Sequence, residues 1–280
     1  MVPREYAGPN LKAASNDEPP VDLRTGIAHP ARMYDYFLGG KDHFPADREA
    51  AERALAAHPV VREAARANRA WLGRAVRYAA STGIRQFLDI GTGIPTMGST
   101  SEVAHEVAPD ARIVYVDNDP IVLTHTRALL AHADGARRIS VLQADLREPE
   151  RILAEARAIL DFDRPIALML VAILHFVPDD DDPLGIVRSL LAELPAGSML
   201  LLSHGTSDFA TPEQLAGVNE AYRKSTAPGV SRSREELAAL FAGLELVEPG
   251  IVQQPWWRPD GELPAGSEQI PVWAGVGVKP

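Results

Sequence analysis

The sequence predicts an α/β fold: a doubly wound, mostly parallel sheet with antiparallel strands at its C-terminal edge and a helical cap at its N-terminus. Three observations lead to this prediction. Short apolar runs alternate with helical segments through the middle of the 280-residue chain, one run is apolar throughout, and the alternation stops beyond Gly205. Alternating strands and helices favour a parallel sheet covered on both faces, and right-handed crossovers make it an open, doubly wound sheet.

The N-terminal part is predicted to be helical. Residues 1–22 are rich in Pro, Asn, Asp and Ser and are expected to form a mobile tail. A short helix ends at Gly39-Gly40, and residues 47–80 show helical spacing of apolar side chains, interrupted near Pro59. Residues 23–82 are therefore interpreted as a helical cap.

The central part, residues 83–205, is predicted to be the core of the fold. Strands are predicted at 84–90, 112–116, 139–143, 165–173 and 198–203. Helices are predicted from the first strand up to 107 and at 120–132, 149–160 and 183–194. The fourth strand is the most apolar, which is typical of a strand buried on both faces.

The C-terminal part, residues 206–280, is predicted to complete the sheet. Two helical segments at 212–224 and 234–241 precede apolar runs at 244–247 and 270–278. We expect these two runs to pair as antiparallel edge strands.

Composition excludes several classes of protein. A formal net charge of -10 argues against broad binding to nucleic acid or to an anionic membrane. The chain has no cysteine, which excludes disulfides, thiolate nucleophiles and cysteine-ligated zinc, and its eight histidines form no H-x-x-x-H pair, so no metal site is predicted. The longest apolar run, 166–177, is too short to span a bilayer and the N-terminus lacks a signal pattern, so a cytoplasmic protein is expected.

Carboxylates stand at the ends of three successive predicted strands, as Asp89, Asp117 and Asp145. Ligands of doubly wound sheets bind at this edge, where strand order reverses. The loop Gly91-Thr92-Gly93 follows the first carboxylate, and its glycines allow a sharp turn and a close approach of the backbone to a ligand. The nicotinamide fingerprint G-x-G-x-x-G fails because Thr96 stands at its third glycine.

The three carboxylates match three groups of one ligand. Asp89 would repel a pyrophosphate but suits a cationic ammonium, Asp117 can accept both hydroxyls of a ribose, and Asp145 can accept from an adenine amine. Helix capping explains any one of these acids, but the set of three beside Gly-x-Gly favours a ligand site.

These residues resemble the class I S-adenosylmethionine-dependent methyltransferases, which have a Rossmann-like fold. The resemblance implies S-adenosylmethionine as cofactor and methyl transfer to an oxygen or nitrogen nucleophile of a small-molecule acceptor, with no metal. It departs at Pro95, where the family often has a third glycine. The cofactor contacts it implies are Asp89, Gly91, Thr92, Gly93, Asp117, Asn118, Ala144, Asp145, Leu146 and Ala172, with Tyr36 and Gly39 from the cap.

Two further segments narrow the resemblance, RMYDYFLGGKDHFPAD at 32–47 and WWRPD at 256–260. They resemble an uncharacterised actinobacterial group of S-adenosylmethionine-binding methyltransferases, in which a Tyr-Asp-Tyr, Leu-Gly-Gly-Lys-Asp segment precedes the sheet. The resemblance places the acceptor side in the C-terminal extension and leaves the acceptor and the oligomeric state open.

The aromatic segment at 32–47 allows two interpretations. A phosphate-binding loop is excluded, because that motif needs glycine at Asp35 and a hydroxyl at Asp42. One interpretation is a helix stop whose aromatic side chains pack on the sheet. The other is a lid in which Tyr34, Tyr36 and Phe37 cover the methionine end of the cofactor, where a sulfonium over a ring gains about 0.5–2 kcal/mol.

Three residues are candidates for the acceptor side: Tyr36, His43 and His175. A histidine after the fourth strand can act as a general base, or it can simply hold a loop. Because no convincing base is apparent, a binder or sensor of S-adenosylmethionine stays open as an alternative. A nicotinamide-dependent oxidoreductase is a further alternative, which Asp89 and Thr96 oppose.

Overall fold

The computed structural model describes residues 23–130 and 138–280, which fold around one mixed sheet. The tail predicted at 1–22 and the end of the helix predicted to reach 132 lie outside these residues. The strands are β1 (Gln86–Ile90), β2 (Arg112–Asp117), β3 (Ile139–Gln143), β4 (Ala167–Val171), β5 (Met199–Gly205), β6 (Glu245–Leu246), β7 (Val252–Gln253) and β8 (Val272–Val278).

The strand order of the sheet is β3-β2-β1-β4-β5-β8-β6, and β7 pairs with β8 beside this path. The first five strands are parallel, and β8 is antiparallel to β5, β6 and β7. The predicted fold class is therefore confirmed. One detail differs: β8 lies between β5 and β6 instead of at the edge, because it pairs along its whole length with β5.

The helices are α1 (Pro30–Leu38), α2 (Pro45–Ala57), α3 (Val61–Ser81), α4 (Thr100–Val107), α5 (Pro120–Leu130), α6 (Pro149–Ala156), α7 (Pro183–Ala192), α8 (Pro212–Arg223) and α9 (Arg234–Ala239). Proline stands in the first turn of most of them, where its missing N–H leaves no hydrogen bond unmade. In α4, α8 and α9 a serine or threonine N-cap and a Glu or Gln three residues later form a capping box.

Both faces of the sheet are buried. Leu88, Leu168 and Leu200 belong to the core beneath α6, α7 and α9, whereas Phe87, Met169 and Leu201 belong to the core shared with α3 and α4. All five residues of β4 are buried, as expected for a central parallel strand whose alternate side chains face opposite layers.

The N-terminal helices α1 and α2 form a third apolar cluster together with α8 from the C-terminal part. Small side chains let α2 and α8 approach closely, since a Cβ at Gly217 would lie 2.5 Å from the Cβ of Ala57. Residues far apart in sequence therefore build one helical layer beside the carboxyl ends of the strands. The division of the chain at 82 and 205 stays a prediction.

Candidate functional site

A cavity of about 250 Å³ opens where the carboxyl ends of β1, β2 and β3 meet helices α1 and α3. We call it the strand-end cavity. β1 lies between β2 and β4, so the strand order reverses at this place, which is where such sheets bind ligands. The predicted residues that line it are Asp89, Gly91, Thr92, Gly93, Asp117, Asn118, Ala144, Asp145, Leu146, Ala172 and His175.

Asp89 is the buried carboxylate at the end of β1, with 5% of its surface exposed. Burial raises its pKa to about 6, against a hydrogen bond from Thr100 and the nearby charge of Arg69, which both lower it. The Thr100 hydroxyl donates to Oδ2 at 2.6 Å. A single neutral donor leaves the other oxygen of this carboxylate available for a cation in the cavity.

Asp117 at the end of β2 holds the glycine loop in place. Its Oδ2 accepts from the N–H of Gly93 at 2.9 Å and its Oδ1 from the N–H of Asp119 at 2.9 Å. Burial raises its pKa to about 6, although these backbone donors lower it.

Gly91 has a φ of +77°, and a Cβ there would lie 2.5 Å from Cγ1 of Ile173, so this turn requires glycine.

Arg69 on α3 brings a positive charge to the same cavity. Its Nε is buried and has no hydrogen-bond partner among the described residues. A buried, unpaired donor is costly unless a ligand supplies an acceptor. Sequence reasoning missed this residue, because α3 carries several arginines and the helical pattern does not indicate which of them faces a cavity.

A buried polar network lies behind the cavity and fixes two of its walls. Asn68 donates to the Tyr34 hydroxyl at 2.9 Å and accepts from the Ser203 hydroxyl at 2.7 Å and from Gln254. Ser203 also accepts from the N–H of Ala172 at 3.0 Å. The network joins residues that are 31 to 186 positions apart, so no local pattern in the sequence indicates it.

The aromatic residues of α1 divide between two environments. Tyr34 and Phe37, three positions apart on one helical face, line the strand-end cavity, whereas Tyr36, Gly39 and His43 do not. The Tyr36 hydroxyl donates to Glu52 at 3.1 Å, and its ring contacts His43 edge-on. The structure therefore does not bring these three predicted residues to the cavity.

Gly39 ends α1 in the left-handed conformation, with a φ of +82°. Two residues that follow the glycine pair contact the carboxylate of Asp35 on α1. This carboxylate accepts from the N–H of Asp42 at 2.9 Å and pairs with His43 at 3.2 Å. A side chain at Gly40 would meet this carboxylate. The glycine pair thus serves as a helix stop, while the helix before it supplies the aromatic wall.

His175 lines the cavity, but its Nδ1 accepts from the N–H of Gly205 at 3.3 Å. Its pKa lies well below the usual value because of burial and of the nearby His204 and Arg232. A neutral imidazole that accepts at Nδ1 carries its proton at Nε2. In this state neither ring nitrogen of His175 has a free lone pair, and its predicted role as a general base would need the other tautomer.

In the part of the chain that the structure describes, no group of three or more His, Cys, Asp and Glu side chains is placed to hold a metal ion. Within residues 23–130 and 138–280, no helix is long and apolar enough to cross a membrane.

Comparison with known proteins identifies the family. The family model described as S-adenosyl methyltransferase matches residues 16–280, nearly the whole chain. The chain belongs to the S-adenosyl methyltransferase family. Its cofactor is S-adenosylmethionine, and the resemblance seen in the sequence is confirmed.

Solved structures agree with this assignment. A DUF574 family protein from Streptomyces avermitilis is 47% identical, with a TM-score of 0.86 over 92% of this chain and 100% of that chain. A candidate methyltransferase from Thermobifida fusca is 41% identical, with a TM-score of 0.84 over 93% of this chain and 98% of that chain. No curated protein matches.

A more distant structure shares the fold alone. The plantazolicin methyltransferase BamL, solved with a triazolic desmethylPZN analog and SAH, is 11% identical. Its TM-score is 0.52 over 89% of this chain and 95% of that chain.

The charges of the strand-end cavity fit the cofactor of this methyltransferase family. An unpaired Arg69 Nε and the free oxygen of Asp89 complement the carboxylate and ammonium of an amino-acid group. The glycine loop lines the same cavity.

The carboxylate of Asp145 is already fully hydrogen-bonded within the protein. Its Oδ1 accepts from the backbone N–H of Arg147 at 3.0 Å and from Nε at 2.8 Å. Its Oδ2 accepts from Arg147 Nη2 at 2.7 Å and from Asn118 at 3.1 Å. Four donors fill the four lone-pair sites of a carboxylate, so an adenine amine must displace Arg147 or Asn118 to bond here. The Arg147 hydrogen bond also holds the pKa of Asp145 at about 2.

Proposed function

We propose that this protein transfers the methyl group of S-adenosylmethionine to an oxygen or nitrogen atom of a small-molecule acceptor. One observation carries the proposal: the carboxylates that end β1, β2 and β3 line one cavity together with a guanidinium that has an unpaired N–H. This arrangement of charge suits a ligand that combines an amino acid with a nucleoside.

Asp89 and Arg69 are the proposed partners of the amino-acid end. Asp89 would accept from the ammonium, with Thr100 holding its carboxylate in place, and Arg69 would donate to the carboxylate. Charge-assisted hydrogen bonds of this kind contribute about 1.5–3 kcal/mol each. The two opposite charges also fix the orientation of the ligand, because reversing it would place like charges together.

Asp117 is the proposed acceptor for the ribose hydroxyls, and Gly91, Thr92 and Gly93 form the loop beside it. Asn118 lines the same part of the cavity. The adenine would lie against the apolar side chains that follow β3, with the amine directed toward Asp145 if Arg147 moves. The proposed adenine contacts are Ala144 and Leu146, and Ala172, which follows β4, is a further proposed contact of the cofactor.

When bound, S-adenosylmethionine would supply a methyl group on a cationic sulfur. A lone pair of the acceptor would form the new bond to the methyl carbon as the carbon–sulfur bond breaks. The products would be a neutral thioether and, from an O–H or N–H acceptor, one released proton. The protein's own residues align the reactants and exclude water from them. Tyr34 and Phe37 line the cavity and are the aromatic side chains proposed to face the sulfonium.

One observation favours the alternative of a binder without turnover. His175 is the predicted acceptor-side residue that lines the cavity, and the lone pair at its Nδ1 is already occupied by the Gly205 N–H. A methyltransferase with this geometry depends on alignment and on an acceptor that loses its proton readily. A protein that binds S-adenosylmethionine tightly but gives no methylated product with any acceptor would fit the alternative.

Calorimetry with S-adenosylmethionine, S-adenosylhomocysteine and NAD tests the proposed site. We expect the first two ligands to bind, NAD not to bind, and Asp117→Ala to weaken binding by about 1–3 kcal/mol, since its hydrogen bonds would be buried. The matched control is Asp180→Ala, which removes an exposed acid. An unchanged affinity in Asp117→Ala would remove this residue from the site.

A further inference from the structure

A second cavity, of about 160 Å³, lies beside the strand-end cavity. Its outer wall is one face of α8, where Leu215, Val218 and Tyr222 are spaced at three and four residues. Its floor includes Gly205 at the end of β5, Thr206 directly after it and Pro271 directly before β8. The two cavities share the residues Val61, Ala64, His175, Phe176, Tyr222 and Val272.

The two cavities differ sharply in charge. The strand-end cavity is lined by Asp89, Asp117 and Asp145 and by two arginines. No Asp, Glu, Lys or Arg is among the described residues that line the second cavity. A charged molecule entering it would lose its hydration without meeting a counter-charge, which is strongly unfavourable. The second cavity therefore selects uncharged molecules.

Three of the six shared residues have aromatic rings. The rings of Phe176 and Tyr222 lie 5.5 Å apart, and the ring of His175 lies 4.3 Å from Phe176. Burial raises the pKa of Tyr222, so its hydroxyl stays protonated. A flat, apolar ligand can stack against these rings while its end reaches the strand-end cavity.

His58 gives the second cavity a polar group outside the shared wall. Its side chain lines the cavity and is only 9% exposed, and its Nε2 has no hydrogen-bond partner among the described residues. Burial lowers its pKa, so the ring is neutral near physiological pH. A buried nitrogen without a partner is uncommon in folded proteins, because it is costly unless a ligand or water bonds to it.

We propose that the second cavity binds the methyl acceptor, and that this acceptor is an uncharged, largely apolar small molecule with a hydroxyl or amine at the shared wall and a second hydrogen-bonding group at His58. The inference deepens the proposed function and rests on it. His58 is a specificity-determining residue in this assignment, since it contacts the end of the acceptor away from the transferred methyl.

Binding of matched aromatic probes tests the charge selection. 2-Naphthol and 2-naphthoate share a ring system and differ in charge, and each is titrated into the protein saturated with S-adenosylhomocysteine. We expect 2-naphthol to bind about tenfold or more tightly than 2-naphthoate, because the latter would be desolvated without a counter-ion. Equal or tighter binding of 2-naphthoate, or no binding of 2-naphthol, overturns the inference.

A tryptophan substitution shows whether the probe lies in this cavity. Val218→Trp fills the cavity from α8, and Ala216→Trp is the matched control, because Ala216 is exposed on the same helix and outside both cavities. We expect Val218→Trp to weaken 2-naphthol binding about tenfold or more and to leave S-adenosylhomocysteine binding within about twofold, with no effect of Ala216→Trp. Leu215→Trp, on the same face of α8, is a second cavity-filling variant.

The two proposals fail in distinguishable ways. If the unaltered protein does not bind S-adenosylhomocysteine, the proposed function is contradicted. Retained S-adenosylhomocysteine binding, with 2-naphthol bound equally well by Val218→Trp, contradicts only the assignment of the second cavity.

The role of His58 is tested with 2,6-dihydroxynaphthalene, which has a hydroxyl at each end. We expect its second hydroxyl to improve affinity over 2-naphthol by about threefold or more in the unaltered protein, as one net hydrogen bond does. The gain should vanish in His58→Phe, which keeps an aromatic ring and removes the nitrogen. An equal gain in His58→Phe excludes His58 as the partner.

Discussion

Two buried carboxylates define the site at the scale of single residues, and both are unfavourable for folding when no ligand is bound. Burial raises the pKa of Asp89 and of Asp117 to about 6. At pH values between the carboxyl pKa of the unfolded chain and about 6, the folded state binds more protons than the unfolded state. The contribution of these two carboxyl groups to the free energy of unfolding therefore becomes more favourable as pH falls through about 6. Near neutral pH both groups are charged and their destabilising contribution is fully present.

Asp89→Asn is therefore expected to stabilise the ligand-free protein near neutral pH, by about 1–3 kcal/mol given the direction and size of the pKa shift. The amide keeps an oxygen that accepts from Thr100. Urea unfolding measures the effect, and the difference from the unaltered protein should shrink at about pH 5, where Asp89 is itself mostly neutral. Asp180→Asn, at an exposed position, is the control, and a destabilised Asp89→Asn protein would contradict the argument.

Arg69 can be tested with a ligand that lacks the amino-acid group. We expect Arg69→Gln to weaken S-adenosylhomocysteine binding by about 1.5–3 kcal/mol, the contribution of a charged hydrogen bond. Binding of 5′-methylthioadenosine should not change, because it has no carboxylate. Calorimetry on Arg69→Gln and on Arg66→Gln, an exposed arginine of α3, makes the comparison. Equal losses for both ligands would mean that Arg69 supports the fold and not the carboxylate.

At the scale of elements, α1 is held to the sheet by a buried ion pair. Arg32 is 1% exposed, and its Nε lies 3.5 Å from Asp47 on α2 and 3.5 Å from Asp119, two residues beyond β2. Asp47 also accepts from the N–H groups of His29 and Phe44 at 2.8 Å. One cation thus joins the first two helices to the loop that follows Asp117.

Arg32→Met is expected to destabilise the protein by about 3–5 kcal/mol, because it leaves two buried carboxylates without their cation. Chemical denaturation measures the free energy of unfolding, and Arg48→Met, which removes an exposed arginine of α2, should have little effect. A loss below about 1 kcal/mol in Arg32→Met would show that water reaches these carboxylates and that the pair does not hold α1 in place.

Elements with a local pattern were predictable, and those that depend on distant partners were not. The five parallel strands followed from short apolar runs bounded by glycines and acids. The short strand β7 and the position of β8 between β5 and β6 did not, because pairing partners are set by the whole fold. On α1 the sequence indicated an aromatic wall, but only the helical turn decides that Tyr34 and Phe37 face the cavity and Tyr36 does not.

For the whole molecule, the site lies between parts that are far apart in the sequence. Strand-end residues were predictable from the fold class alone, because parallel strands bring their carboxyl ends together. Arg69 and Asn68 on α3 and His58 at the end of α2 were not, since each is one polar residue whose facing surface comes from elsewhere in the chain. The cavities proposed for the cofactor and for the acceptor are both closed in part by α8 and by the segment that follows β4.

Cofactor binding should consequently stabilise the entire fold, and the gain should depend on pH. A ligand at 100 times its dissociation constant adds about 2.7 kcal/mol to the free energy of unfolding. Protonated Asp89 no longer attracts an ammonium and protonated Asp117 accepts less well, so affinity should fall as pH drops below about 6. The slope approaches about a factor of ten per pH unit for each group that must release its proton on binding.

Thermal unfolding with and without S-adenosylhomocysteine, across this pH range, measures that dependence. The shift in unfolding temperature should be largest near neutral pH and should decline below about pH 6, while the ligand-free protein gains stability from the same two groups. Asp89→Asn has no carboxylate to titrate at that position, so its smaller ligand-induced shift should depend less on pH. An equally steep pH dependence in Asp89→Asn would assign the titration to Asp117 or to another group and would remove Asp89 from the ammonium site.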